Sequence, residues 1–151
     1  MIKSLFLILL FSLISFVSNA KQIEITSDKL EIMRTSNIST FSGNVYAFEN
    51  SLKIWSDKLI VTSSEDGKKV DSIDAIGNVK ILRDELSING NIAKYNPNKN
   101  SLIVLGEVTV KQNGNIILCD EIVIDLENSS SIMKSASSKR VEALIINENK
   151  N

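Results

Sequence analysis

Apolar and polar residues alternate with a period of two along most of the chain after residue 20. In "FSGNVYA", Phe41, Val45 and Ala47 alternate with more polar neighbours, and "VLGEVTV" from Val104 to Val110 repeats this pattern. A period of two places alternate side chains on opposite faces of a β-strand. No long segment after residue 20 has the 3.6-residue period of a helix. The pattern therefore predicts an all-β protein whose strands each bury one face.

Two short phrases recur along the chain in alternation. The first occurs as "ITSDKLEI", "IWSDKLIV", "INGNIAKY" and "ILCDEIVI", and its fourth position holds Asp28, Asp57, Asn91 and Asp120. The copies lie roughly 30 residues apart, a spacing typical of repeat architectures. The second phrase lies between them as "FSGNVYA", "AIGNVKI" and "VLGEVTV", and it contributes a single glycine each time. These glycines are Gly43, Gly77 and Gly106.

The alternation changes phase at the aspartate of the first phrase. Ile23 and Ile25 occupy odd positions before Asp28, whereas Leu30 and Ile32 occupy even positions after it. A shift of one residue would turn the apolar face outward unless the strand bulges or bends there. The sequence therefore predicts a kink at each aspartate position. Lone glycines within strands likewise indicate bulges or close approach of two strands.

Turn-forming residues separate the predicted strands. "SSEDGKK", "NPNKN", "QNGN" and "ENSSS" lie between the repeated phrases, and Pro97, the one proline, is in a turn. About four hairpin units of roughly 30 residues are too small to bury a core singly, but stacked they can enclose one apolar interior. We therefore predict a single antiparallel domain of long-strand hairpins, a sandwich or jellyroll, over residues 21–151.

The first twenty residues are predicted to be a cleaved signal peptide. Lys3 precedes an apolar run from Leu5 to Val17, and the small residues Ser18 and Ala20 follow in the pattern of a cleavage site. The run is short for a spanning helix, which needs about 20 apolar residues. An uncleaved membrane anchor is the alternative.

The composition argues against catalysis and against nucleic-acid binding. The chain has no histidine, and its one cysteine, Cys119, has no CxxC partner. The aspartates recur at equivalent repeat positions, where turn or backbone hydrogen bonding is the favoured role. Without residues 1–20 the chain has 16 basic and 18 acidic residues, which gives no basic footprint for nucleic acid. We predict no enzyme, no metal and no cofactor, and we expect Cys119 to be a small buried apolar residue.

Two physical features remain as candidates for function. The first is the apolar interior, which is either a packed core or a groove; its few aromatic residues suit flexible acyl chains better than sugars. The second is the pair of edge strands, "QIEI" and "VEALII" (Val141 to Ile146), which are weakly guarded by charge. Exposed edges can pair with another strand, and two matching ends would join head to tail.

The order of these phrases resembles the LptA/OstA-like family of periplasmic lipopolysaccharide-transport proteins. The resemblance rests on "SDKL", "FSGNV", "SDKLIV", "AIGNV", "VLGEVTV", "ILCDEIVIDL" and "KRVEALII", and it covers Lys21 to about Asn147. It implies an open β-jellyroll that holds the acyl chains of lipid A and passes lipopolysaccharide from the inner to the outer membrane. It also implies partners of the same fold in the inner-membrane transporter and the outer-membrane translocon. The alternatives are a membrane-anchored LptC-like component and a structural, filament-forming repeat protein.

The resemblance and the alternation together give two sets of candidate site residues. The predicted lipid-binding residues are Ile23, Ile25, Leu30, Ile32, Phe41, Val45, Val79, Ile81, Tyr95 and Val108. The predicted self-association residues, for a head-to-tail homo-oligomer, are Val141, Ala143, Leu144 and Ile145.

Overall fold

The protein is described by a computed structural model over residues 22–146, in which ten β-strands form one sheet. The signal peptide predicted for residues 1–20 lies outside the described residues. The strands are β1 (Glu24–Thr26), β2 (Lys29–Met33), β3 (Ile38–Glu49), β4 (Leu52–Ser63), β5 (Val70–Arg83), β6 (Leu86–Asn96), β7 (Ser101–Gln112), β8 (Asn115–Asp125), β9 (Ser130–Lys134) and β10 (Glu142–Leu144).

The sheet is an antiparallel meander with two free edges. Strands β3 to β8 pair in chain order, β1 and β2 both pair with β3, and β9 and β10 both pair with β8. The ten strands therefore make eight rows, and the first and last rows are each split into two short strands. This confirms the predicted all-β, antiparallel, open architecture. The edge strands are shorter than the sequence predicted, since the last one covers Glu142–Leu144 rather than residues 141–146.

The pairing of the long strands is interrupted near their middle by bulges on β3, β5 and β7. On β3, Gly43 and Asn44 both oppose the single residue Asp57 of β4, and the pairing register shifts there. Both residues have positive φ angles, 79° and 45°. Equivalent register shifts occur in the β4–β5, β5–β6, β6–β7 and β7–β8 pairs. The predicted kinks and glycine bulges are confirmed, and the extra residue lies on the glycine strand rather than on the aspartate strand.

Each bulge receives the aspartate or asparagine of the repeat that precedes it. The Asn44 side-chain amide donates to Asp28 Oδ2 at 2.7 Å, and the Asn78 amide donates to Asp57 Oδ2 at 2.8 Å. A Cβ added to Gly43 would lie 2.5 Å from that same Asp28 oxygen, so no larger residue fits without displacing the carboxyl group. The two repeated phrases alternate because each aspartate packs on the following glycine.

In the last two repeats, the residue at the aspartate position makes a different contact. Asn91 packs against Gly106, where an added Cβ would lie 2.6 Å from the Asn91 amide nitrogen. Asp120 accepts hydrogen bonds from the Ala136 backbone N–H at 2.8 Å and from Lys139 Nζ at 3.2 Å. These two hydrogen bonds hold the pKa of Asp120 below its usual range. The loop between β9 and β10 thus takes the place of a fourth glycine bulge.

The line of bulges divides the sheet into two facing halves, which we name wall A and wall B. Wall A contains residues 24–26, 45–49, 52–56, 79–83, 86–90, 108–112, 115–119 and 142–144, and wall B contains the remaining strand segments. Residues paired in register form apolar rows along each inner face. The wall A row is Ile25, Ala47, Ile54, Ile81, Ile88, Val110, Ile117 and Ala143. The wall B row is Leu30, Phe41, Leu59, Ala75, Ala93, Val104, Ile122 and Met133.

Candidate functional site

The centre of the interior between the walls is filled by side chains. Val45, Val79, Ile81 and Val108, four of the predicted lipid-binding residues, are each no more than 2% exposed, and Tyr95 is 5% exposed. At its centre the apolar interior is therefore a packed core rather than an open groove. Apolar side chains on two facing walls gain dispersion contacts by closing on each other, and an empty channel would forfeit them. These five residues contribute to a packed core here.

An open cavity of about 570 Å³ lies between the walls at the C-terminal end. This volume is within the range of ligand pockets, about 300–1,000 Å³. Ile117 of wall A and Ile122 of wall B both line it. None of the cavity residues is among the ten predicted lipid-binding residues, although Val110 and Ile117 extend the row of Ile25, and Ile122 and Met133 extend the row of Leu30. The apolar residues lining the cavity are Leu86, Val110, Ile117, Ile122, Ile124 and Met133.

The N-terminal end of the interior is only partly covered. Ile23, Ile25 and Phe41 are half-buried and pack against the core. Leu30 and Ile32 are 49% and 62% exposed, although Leu30 occupies the interior-facing row of wall B. They are exposed because β2 is an edge strand with no further strand beside it. The predicted residues at this end are thus placed together, but half-open to solvent.

One polar contact joins the two walls on the side opposite the bulges. The Tyr95 hydroxyl of wall B donates a hydrogen bond of 2.8 Å to Glu49 Oε2 of wall A. Burial, together with the hydrogen bond to Glu49 and the charge of Glu49, raises the pKa of the Tyr95 phenol above its ordinary value of about 10. Sequence reasoning did not select Glu49. It shares the inward-facing phase of Val45 and Ala47 on β3, where the alternation predicts an apolar residue and not an acidic one.

This pKa shift predicts that the protein loses stability at alkaline pH. A phenol with a raised folded pKa keeps its proton in the folded state while the unfolded chain loses it, so stability is complete below pH 10 and falls above it. The loss approaches about 1.4 kcal/mol per pH unit. Urea unfolding of the wild type and of Tyr95→Phe between pH 9 and 11 measures it. The free energy of unfolding should fall less steeply with pH in Tyr95→Phe than in the wild type. Equal slopes would contradict a raised pKa of Tyr95 in the folded protein.

The predicted self-association residues lie in and beside β10, at the C-terminal edge of the sheet. Val141 is 42% exposed, Leu144 63% and Ile145 72%. Ala143 pairs with Ile117 and extends the interior row of wall A, whereas Leu144 pairs with Ile116 on the outer face. At the opposite edge, Ile25 begins the same row. The apolar row therefore reaches both free edges of the sheet.

A second cavity, of about 810 Å³, lies beside the bulge line where β9 and β10 separate. It is lined by polar residues, among them Asp120, Lys139 and Arg140, and by the apolar residues Val108, Leu118, Cys119 and Val141. Cys119 is 7% exposed, and burial raises the pKa of its thiol. The prediction that Cys119 is a small buried residue is confirmed. Within residues 22–146 no group of three or more His, Cys, Asp or Glu side chains could hold a metal ion.

The fold and the repeats agree with a comparison against known families. Residues 24–130 match the family described as LptA/(LptD N-terminal domain) LPS transport protein. The chain belongs to this family. The predicted LptA/OstA-like resemblance is thereby confirmed, and the match spans every strand from β1 to the start of β9.

Among solved structures, this LptA/LptD-family chain is similar to LptH of Pseudomonas aeruginosa. LptH is described as the LptA homologous periplasmic component of the conserved lipopolysaccharide transport device. The two chains are 16% identical with a TM-score of 0.75, and the similarity covers 84% of this chain and 96% of LptH. At this identity the likeness establishes a common fold. A comparison with curated proteins found no match.

Between residues 22 and 146, no helix has the length and apolar character needed to cross a membrane.

Proposed function

We propose that this protein is a periplasmic carrier of lipopolysaccharide that holds lipid A acyl chains between walls A and B. The observation that carries the proposal is the cavity lined by Ile117 and Ile122, which continues the two apolar rows and opens to solvent. Polar side chains, among them Arg83, Asp84 and Glu85, line the rest of this cavity. Membership of a lipopolysaccharide-transport family supplies the class of ligand. The predicted signal peptide supports export to the periplasm.

The hydrophobic effect explains why such a carrier needs a sheltered interior. Each CH₂ group exposed to water costs about 0.8 kcal/mol, so a long acyl chain cannot cross an aqueous compartment uncovered. A cavity that remains open at one side can shelter the chains while the sugars stay in solvent. Shallow, similar sites along one row favour onward transfer, because no single position binds so tightly that release becomes slow.

On β8, only the residues of the inner face should contact lipid. Ile117 lines the cavity, while the neighbouring Ile116 pairs with Lys111 and Leu144 on the outer face. A photo-crosslinking amino acid at Ile117 should therefore label purified lipopolysaccharide at least about tenfold more strongly than one at Ile116, since successive strand residues face opposite sides. Equal labelling at both positions would contradict a lipid site between the walls.

The exposed edges support partners of the same fold, joined head to tail. Continuing the wall A row beyond Ala143 places Ile25 of the next copy beside it, in antiparallel pairing that continues the meander. Partners that present such an edge in the inner and outer membranes would extend the same interior. Transfer from the inner to the outer membrane is part of this proposal.

The continued register predicts a specific disulfide between two copies. With Cys119 replaced by alanine, the pair Ile25→Cys and Ala143→Cys should form covalent oligomers on mild oxidation, because opposed residues of paired strands lie about 5 Å apart. The control pair, Thr26→Cys and Ala143→Cys, places the two thiols on opposite faces of the sheet. Non-reducing gels measure the oligomers, and equal cross-linking by both pairs would contradict the register.

Two alternatives remain distinguishable by experiment. An LptC-like anchored component would retain residues 1–20 in the membrane fraction, whereas mass spectrometry of the carrier would find an N-terminus at Lys21. A purely structural filament protein would form the Ile25–Ala143 disulfide but would show no labelling of lipopolysaccharide from Ile117.

A further inference from the structure

The contact between Tyr95 and Glu49 joins parts of the sheet that are not neighbours. Glu49 is the last residue of β3 and Tyr95 lies near the end of β6, so β4 and β5 separate them within the sheet. Their hydrogen bond spans the gap between wall A and wall B at the side opposite the bulges. The two residues are 6% and 5% exposed. The buried Tyr95–Glu49 pair thus connects walls A and B at the side opposite the bulges.

The pair separates an apolar space from a polar one. On the interior side, Ile23, Ile54 and Ile73 surround a gap of about 10 Å³ next to the pair, at the lower limit of the roughly 10–15 Å³ that one water molecule needs. On the solvent side lies a cleft of about 200 Å³ lined by Arg83 and Glu127. Glu49 and Tyr95, with Leu52, line both spaces and therefore lie at the boundary between them.

The chemistry of the pair differs from that of its surroundings. Apolar contacts between the walls are non-directional, so the walls can separate and close again by small steps. A hydrogen bond is directional and is lost within a short displacement, and its two groups recover hydrogen bonds to water once they are exposed. The pair therefore favours two arrangements, closed with the bond made and open with both groups hydrated.

We propose that the Tyr95–Glu49 hydrogen bond is a clasp that holds walls A and B closed over the packed interior and parts to admit an acyl chain. The proposal rests on the carrier function proposed above. It assigns Tyr95 a role in controlling access, in addition to the lining role predicted from the sequence. It also explains why an acidic residue, Glu49, occupies a buried position in an otherwise apolar pattern.

Thiol labelling tests the clasp without any lipid. Ile73 is 3% exposed and pairs directly with Tyr95, so a cysteine there reports opening at the clasp. In a Cys119→Ala background, Tyr95→Phe should raise the rate at which N-ethylmaleimide labels Ile73→Cys about tenfold, the effect of one buried hydrogen bond on an opening equilibrium. Glu49→Gln keeps an acceptor for the Tyr95 hydroxyl and should have a smaller effect.

The native thiol provides the matched control for global unfolding. Cys119 is also buried but lies on the bulge side, away from the clasp. With Cys119 kept and no added cysteine, Tyr95→Phe should leave its labelling rate within about twofold of the wild type, since the bulge side stays closed during local opening. Equal acceleration at Cys119 and at Ile73→Cys would mean general destabilisation and would overturn the clasp.

Uptake of cis-parinaric acid, a fluorescent long-chain fatty acid, completes the test. We expect faster uptake by Tyr95→Phe than by the wild type, with both proteins reaching measurable occupancy. Uptake at the same rate in both would overturn the clasp while leaving the carrier function intact. Absence of binding to either protein would overturn the carrier function and the admission of acyl chains, while the thiol rates would still decide whether the pair holds the walls closed.

Discussion

Gly77→Ala should lower the free energy of unfolding by about 3 kcal/mol. Gly77 has a φ of +81°, which an L-residue adopts at a cost of about 1–2 kcal/mol. The added methyl group would also lie 2.5 Å from Asp57 Oδ2, so the carboxyl group must move and its 2.8 Å bond from Asn78 is weakened. Urea unfolding followed by circular dichroism measures the change.

Gly67→Ala is the matched control for this substitution. Gly67 has a similar φ of +68°, but nothing lies within 4 Å of an added Cβ. We expect Gly67→Ala to lower the free energy of unfolding by only about 1 kcal/mol, the cost of a positive φ angle in an L-residue. The double variant Asp57→Ala/Gly77→Ala should be less destabilised than the sum of its single variants, because the clash disappears with the carboxyl group. Strict additivity would show that the glycine is not required by the aspartate.

Ile25→Asp should reduce the binding of lipopolysaccharide by more than about tenfold, since an ionised carboxylate in an apolar site is strongly disfavoured. Ile25 faces the interior at the start of the wall A row and packs against the core at the half-open N-terminal end. A carboxylate at this half-open position stays hydrated, and its water removes the apolar surroundings that acyl chains need. Co-purification of lipopolysaccharide with the mature protein measures the loading.

Thr26→Asp supplies the control for Ile25→Asp. Thr26 is exposed, follows Ile25 directly and pairs with Tyr46 on the outer face, so the same charge is added on the other side of β1. We expect its lipid loading to match the wild type. Urea unfolding of both variants separates a loss of binding from a loss of folding. Wild-type loading in Ile25→Asp would contradict lipid binding at this end.

Most of the fold could be predicted because its signals are local. Alternation gives the strands, and turn residues such as those around Gly67 and Gly114 give the hairpins. The phase change at Asp28 and Asp57 gives the bulges. The pairing of each aspartate with the next glycine was visible only as matched spacing, and the structure supplies the contact that requires it.

Less of the candidate site could be predicted, because alternation shows which face of a strand is apolar but not how closely two faces approach. Val45 and Ile81 are packed, while Leu30 is half exposed, although all three satisfy the same pattern. The cavity around Ile117 and Ile122 depends on how far apart the walls lie at one end. No local sequence pattern specifies the distance between walls A and B.

The sequence by itself determined an all-β repeat chain with bulged strands, one apolar face, weakly guarded edges and a family resemblance. Only the tertiary structure decided that the interior is closed at its centre and open at its C-terminal end, and that Tyr95 meets Glu49 across the walls. The physical reason is that strand periodicity is fixed by neighbouring residues. Closure and the Tyr95–Glu49 bond depend on contacts between residues far apart in the chain, which form only after the sheet has bent.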